Sequence, residues 1–232
     1  QSAGAVAMGE NAGRSNQGTN SVALGNSAGQ TTQGASAVAI GYNSGVGDTE
    51  TATYVSGATG GSVTLIVNDT TGIKVGSRIT GTGFIGGLNS QITVVSVDDG
   101  TTLTISNSAN DGTPSGTLTF NAQQENNAVA IGNDSGSYGQ RGYTVAIGSE
   151  AGQYGQDEQA IAMGARAGRT NQSLGGVALG ISSGETNQGS HGVAIGKWAG
   201  RTDQASEAVA IGYQAGYTGQ SSNAVAVGVS AG

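Results

Sequence analysis

The phrase AVAIGYQAGYTGQ, residues 208–220, returns with small changes from one end of the chain to the other. Its anchor valine recurs at Val6, Val22, Val38, Val129, Val145, Ile161, Val177, Val193, Val209 and Val225. Every step is sixteen residues except that from Val38 to Val129, which is ninety-one, or sixteen plus seventy-five. One repeat has therefore been opened to admit about 75 residues, and the register resumes afterwards without slippage. The residue after each anchor is always Ala, the next is Met, Leu, Ile or Val, and the next is always Gly. A second Gly follows four places later, preceded by Ala or Ser. A Gln stands five places before each anchor, at Gln1, Gln17, Gln33, Gln124, Gln140, Gln156, Gln172, Gln188, Gln204 and Gln220.

Sixteen is not a helical period, and two Gly per repeat would cost a helix about 1 kcal/mol each relative to Ala. With period two, V-A-I is a short strand with Val and Ile on one face and Ala on the other. The Gly after it supplies a bend that a Cβ would obstruct. Each repeat is thus one coil of a parallel β-solenoid: strand, corner, short strand, corner. Stacked at the strand spacing of about 4.8 Å, ten anchors make a rod on the order of 50 Å tall. The Gln column is expected to form an amide ladder, each side chain bonded to its copies above and below.

Each coil offers only about two large apolar side chains, and its Ala column never varies. The sequence leaves open which strand face points into the coil. The expectation is Val and Ile inward, with Ala toward a second copy of the chain, where small side chains let backbones approach. The coils are then narrow and the protein self-associates.

The motifs AVALG and AVAIG with the trailing A-G resemble the head repeats of trimeric autotransporter adhesins (YadA-head-like), whose motif runs S-V-A-I-G. The resemblance covers about 156 residues, everything outside the insertion. It implies a left-handed parallel β-roll and association of three chains about a common axis. The sixteen-residue period departs from the family's usual fourteen or so. The variant with A-G and Gln also resembles repeats in tail-fibre and structural proteins of marine bacteriophages.

The expected organisation is solenoid over 1–47, an inserted all-β domain over 48–123, and solenoid over 124–232. The insertion alternates at SVTLIV (62–67), SRIT (77–80), QITVVSV (91–97), TLTIS (102–106) and TLTF (117–120), with turn signals at Asp98-Asp99-Gly100 and Gly81-Thr82-Gly83. About five strands in a small barrel or sandwich follow, leaving and re-entering one coil and so projecting sideways as a knob. The segment TTGIKVGSRITGTGFIGG (70–87) resembles stretches of phage structural proteins.

Composition narrows the function. Of 232 residues 44 are Gly and one is Pro, without a collagen period. The absence of Cys leaves no disulfide, and no apolar run is long enough for a membrane helix. A net charge of −7, with eight scattered Lys and Arg, disfavours nucleic acid. No catalytic constellation stands out, so an enzyme is not expected. The one His, His191, is an ordinary surface residue, no G-x-S-x-G stands on a strand-to-helix turn, and Asp98-Asp99 is a turn rather than a metal site. No repeat column holds Asp or Glu throughout, so neither metal nor cofactor is expected. Gly45-Val46-Gly47 carries no phosphate-loop weight at this Gly content, and sequons occur at Asn68, Asn133 and Asn171. Candidate contact residues are the aromatics outside the V-A-I strands: Trp198, Tyr213, Tyr217, Tyr138, Tyr143 and Tyr154.

The leading expectation is a structural and adhesive fibre segment, a homotrimeric phage tail fibre or similar virion appendage that attaches to a host receptor or glycan. Alternatives are a cell-surface trimeric adhesin head or a self-stacking extracellular filament. Opening on the Gln column and stopping at Gly232, the chain is expected to continue into further domains or to stack end to end. An ice-binding solenoid would need an unbroken Thr column. Thr31, Thr170, Thr186, Thr202 and Thr218 share one, but Ser15, Gly47, Tyr138 and Tyr154 interrupt it. A glycan-degrading tailspike would need acidic pairs in a groove.

Overall fold

A computed structural model describes residues 1–59, 61–82, 92–106 and 114–232. The chain divides into two compact units: Gln1–Gly47 with Gln123–Gly232, and Asp48–Ala122. The second ends one residue earlier than expected.

The first unit is a parallel β-solenoid. The V-A-I strands, from Val6–Met8 to Val225–Val227, form one ten-stranded sheet in chain order, with neighbours in register residue for residue. The interruption leaves no trace in it, because Val38, Ala39 and Ile40 pair with Val129, Ala130 and Ile131. A second parallel sheet stacks Tyr138–Gln140, Tyr154–Gln156, Thr170–Gln172 and Thr186–Gln188. Single bridges continue it from Thr186 to Thr202 and on to Thr218.

The strand faces are the reverse of the expectation. Ala23, Ala39, Ala130, Ala146, Ala162, Ala178, Ala194 and Ala210 are wholly buried inside their own coil, while the flanking Val, Ile, Leu and Met point outward, half-buried or exposed. The lumen has no room for more than a methyl group. A Cβ built on Gly152, at the second Gly position, would lie 2.7 Å from Gln156 Oε1 and 3.2 Å from the Ala146 Cβ. The first Gly position is fixed by the next coil: a Cβ on Gly148 would stand 2.8 Å from the carbonyl carbon of Gly164. Real Cβ atoms do not approach within 3 Å, so the pitch of the stack requires Gly at the first corner and the filled lumen requires it at the second. The core is therefore built of alanine clusters and amides rather than Leu and Phe.

The largest side chains in the lumen are the glutamines. Gln17, Gln33, Gln124, Gln140, Gln156, Gln172, Gln188 and Gln204 are all essentially buried. Each Nε2 donates to the anchor carbonyl of the preceding coil, eleven residues earlier as from Gln172 to Ile161 at 2.8 Å, or, across the insertion, 86 residues earlier from Gln124 to Val38 at 2.9 Å. From Gln124 onward it also donates to the next glutamine's Oε1: 124 to 140 at 3.0 Å, 140 to 156 at 3.3 Å, 156 to 172 at 3.2 Å and 172 to 188 at 3.1 Å. Gln188, Gln204 and Gln220 extend the chain. The ladder does not reach the earlier coils: the Oε1 atoms of Gln17, Gln33 and Gln124 have no partner, and Gln1 is exposed. Gln reaches the inside although Thr170, two places earlier, faces out, because Asn171 between them has φ +53° and breaks the strand's alternation.

Among the described residues the second unit holds six strands rather than five: Thr49–Gly57, Thr64–Val67, Arg78–Thr82, Val94–Val97, Thr102–Ile105 and Ser115–Asn121. The unforeseen one, Thr49–Gly57, is central, pairing with Ser115–Asn121 along its first half and Thr64–Val67 along its second. The two outer strands meet through an Arg78–Thr93 bridge and the bonds Ile79 N to Ile92 O (2.9 Å) and Val94 N to Ser77 O (3.0 Å). The sheet thus closes into a barrel around Leu65, Val67, Ile79, Val94, Leu103, Leu118 and Phe120. Its ends are tied by reciprocal bonds between Asp48 and Ala122, 2.9 and 2.8 Å. Gln91, Gly83 and residues 83–87 of the 70–87 segment lie outside the described residues.

Candidate functional site

Stacking at a fixed pitch turns each outward coil position into a column of side chains. The sixteen-residue offset therefore decides which aromatics meet. Tyr138 and Tyr154 occupy one column of the second sheet, with ring centroids 5.5 Å apart and planes within 9°. Each spends one face on the other. The same column continues as Thr170, Thr186, Thr202 and Thr218, and the two tyrosines break its regularity.

Arg201 and Tyr217 share the neighbouring column with Glu185. The guanidinium carbon sits 5.6 Å from the Tyr217 ring centroid, Nη1 donates to the Tyr217 hydroxyl, and Nε donates to Glu185 Oε2 at 2.7 Å. The hydrogen bond to Glu185, then that to Tyr217, holds the Arg201 proton more tightly than usual. Nε and Nη1 of the guanidinium are thus both occupied within the chain.

At the corner after the V-A-I strand, Trp198 and Tyr213 come together, centroids 5.7 Å apart and planes tilted by 46°. Lys197 Nζ lies 4.1 Å from the centre of the Trp198 ring, a cation–π contact. The backbone locks this corner coil to coil: Trp198 N donates to Ile181 O at 3.0 Å, Gln214 N to Lys197 O at 3.1 Å and Ser230 N to Tyr213 O at 2.8 Å. Tyr143 stands apart on the opposite corner, exposed, with φ +61°.

The structure thus separates the six aromatics into three pairs or contacts and one lone ring. Reasoning from the sequence named Trp198 and Tyr213 but missed Lys197, Arg201 and the exposed Tyr42. The signal was available: Lys197, Tyr213 and Tyr42 occupy the same position of different coils, and Arg201 lies sixteen residues before Tyr217.

Among the described residues no group of three or more His, Cys, Asp and Glu gathers to hold a metal ion. Asp98 and Asp99 use their carboxylates on their own hairpin. Asp99 Oδ1 accepts from the Thr101 and Thr102 amides at 2.7 Å each, and Asp98 accepts from the Ser96 and Thr104 hydroxyls. His191 is exposed at φ +57° in a corner.

Comparison of the chain with protein families, with curated proteins and with solved structures finds no match.

Proposed function

We propose that the protein is a structural and adhesive fibre segment, a virion tail fibre or similar extracellular appendage, whose coils associate as a homotrimer through the outward Val/Ile face. One observation carries the reading. The twenty outward positions of the ten-stranded sheet are all Val, Ile, Leu or Met, in a chain with 10% charged residues and a net charge of −7. Val6, Met8, Met163 and Ile211 are each more than a third exposed. A face ten strands long and three residues wide measures roughly 450 Å² at ordinary strand dimensions. Contiguous apolar patches of a few hundred Å² are commonly interaction sites. The alanines cannot serve as the contact, since they fill the coil's own lumen. A surface that repeats along one axis suits a stiff shaft, and its corners are free to vary without disturbing the stack.

The test is the mass in solution by light scattering, for the wild type and for Val193→Glu/Ile195→Lys. The expected wild-type mass is three times that of one 22.5 kDa chain, falling toward one chain mass in the variant. A monomeric wild type refutes the trimer.

A further inference from the structure

We infer that the corner formed by Lys197, Trp198 and Tyr213 is a binding site for an acidic saccharide, with a sugar carboxylate on Lys197 Nζ and the sugar ring against the tilted Trp198/Tyr213 pair. The inference rests on the attachment reading above and names the ligand class. Four observations support it.

First, the coil does not need an indole there. The equivalent position in the other nine coils is Asn, Ser, Asp, Glu, Arg or Gln, always at positive φ, and Trp198 adopts φ +64° like them. A bulky side chain in the left-handed region is uncommon and conformationally costly, and such residues concentrate at functional sites. Second, the pair is accessible, with Tyr213 exposed and Trp198 partly so. Planes tilted by 46° at 5.7 Å make a wedge rather than a closed stack, and Tyr213 is 41% exposed. The other aromatic contacts are already spent, Tyr138 on Tyr154 and Tyr217 on Arg201.

Third, the charge is complementary to an anion. The two outward corner positions bear Glu10, Asp134 and Glu150 in earlier coils, but from Ala165 to Ser230 they bear no carboxylate, only the cations Arg166 and Lys197. This corner is locally positive in a chain of net charge −7. Fourth, the corner is organised before binding, because backbone hydrogen bonds of 2.8–3.1 Å join its successive coils, so little ordering cost falls on the ligand. Exposed Ile181 and Val229, one coil to either side of the Lys197–Tyr213 pair, extend the apolar floor. A sugar ring has C–H-rich faces that pack on aromatic rings, and a uronic acid adds the carboxylate that Lys197 would meet. A neutral sugar would leave the ammonium without an anion, and an acidic peptide would leave the rings unused.

Trp198 is the only tryptophan, so its emission reports this corner alone. The intact chain is titrated with polygalacturonate, with neutral dextran and with polyglutamate. A saturable change in emission with polygalacturonate is expected, at least tenfold weaker for dextran and absent for polyglutamate. Lys197→Gln and Tyr213→Ala should each weaken polygalacturonate binding tenfold or more with unchanged circular dichroism, and added salt should weaken the wild type but not Lys197→Gln. No response to polygalacturonate, an equal response to polyglutamate, or full binding by Lys197→Gln overturns the inference. So does a ligand-free Trp198 shielded from acrylamide in the assembled protein, since a second copy would then cover the corner. Those outcomes leave the trimer standing if the mass is three chains. A monomeric mass with saccharide binding intact would sink the trimer and spare the site.

Discussion

Replacing Gln172 with Met keeps a linear side chain of similar volume but removes every polar contact the amide makes. Gln172 Nε2 shares its two protons among Ile161 O at 2.8 Å, Gly176 O at 3.0 Å and Gln188 Oε1 at 3.1 Å, and its Oε1 accepts from Gln156 Nε2 at 3.2 Å. Gly176 O keeps its bond from Ile161 N, and Gln156 keeps Val145 O and Ala160 O. Gln188 Oε1 loses its donor altogether. Orphaning a buried acceptor costs about 1–3 kcal/mol, and each other lost bond a net 0.5–1.5 or so. Allowing for the better burial of a thioether, the expected loss is about 3–5 kcal/mol. Gln17 is the internal control. Its amide makes one hydrogen bond, to Val6 O at 2.8 Å, and its Oε1 is already unpartnered, so Gln17→Met should cost no more than about 1 kcal/mol. A solenoid need not unfold in two states, so the assay is native-state hydrogen exchange of the amides in the mutated coil and its neighbours. Equal losses at both sites, or a loss below about 1 kcal/mol at Gln172, would refute the idea that the ladder holds the coils.

Three further outcomes follow from the same geometry. Gly152→Ala forces a Cβ to 2.7 Å from Gln156 Oε1 at φ +51° and should cost about 3 kcal/mol or more, whereas Gly219→Ala, at φ +68° with nothing within 4 Å, should cost about 1, both by native-state hydrogen exchange in the mutated coil. Deleting 48–122 and joining Gly47 to Gln123 restores a sixteen-residue coil, so the shortened chain should keep the solenoid's circular dichroism and the excised segment should fold by itself; an unfolded shortened chain contradicts this. The Thr101 amide, then the other hydrogen bonds from Thr101 and Thr102, holds the Asp99 carboxyl below its ordinary 3.8. The hairpin's contribution is therefore full above that value and lost as pH falls through the lowered one, so exchange at Thr102 N should quicken as pH falls below 3.8 and lose that dependence in Asp99→Asn.

The period, the closure over the insertion and the Gln column were legible because stacking leaves so few residues that fit. Gly148 and Gly152 are fixed by neighbours under 3 Å away, and every coil repeats the demand. The direction of the strand faces was not legible from V-A-I alone. Large apolar side chains usually go inside, but here Gln156 and the Gly152 corner already fill the lumen, so only a methyl group fits and the size order inverts. The invariant Gly and Gln, taken together, held that information. The strand Thr49–Gly57 escaped notice because its inward residues are Glu50, Ala52 and Tyr54 rather than a run of Val and Ile. The aromatic contacts followed the sixteen-residue offset for Tyr138–Tyr154 and Arg201–Tyr217, whereas Trp198 and Tyr213 are fifteen apart and meet only through the corner's geometry.

The most direct test of the stacked-coil account is a disulfide between Val38→Cys and Val129→Cys in this chain, which has no cysteine of its own. These residues are ninety-one apart in sequence but register partners in adjacent strands, at a spacing of about 4.8 Å that a disulfide spans. Mild oxidation should give an intramolecular bond in nearly every chain, seen as a faster band on a non-reducing gel, while Val38→Cys with Val145→Cys, two rungs apart, should give none. Failure of the first pair to close, or equal closure of the second, would contradict an unbroken sixteen-residue stack.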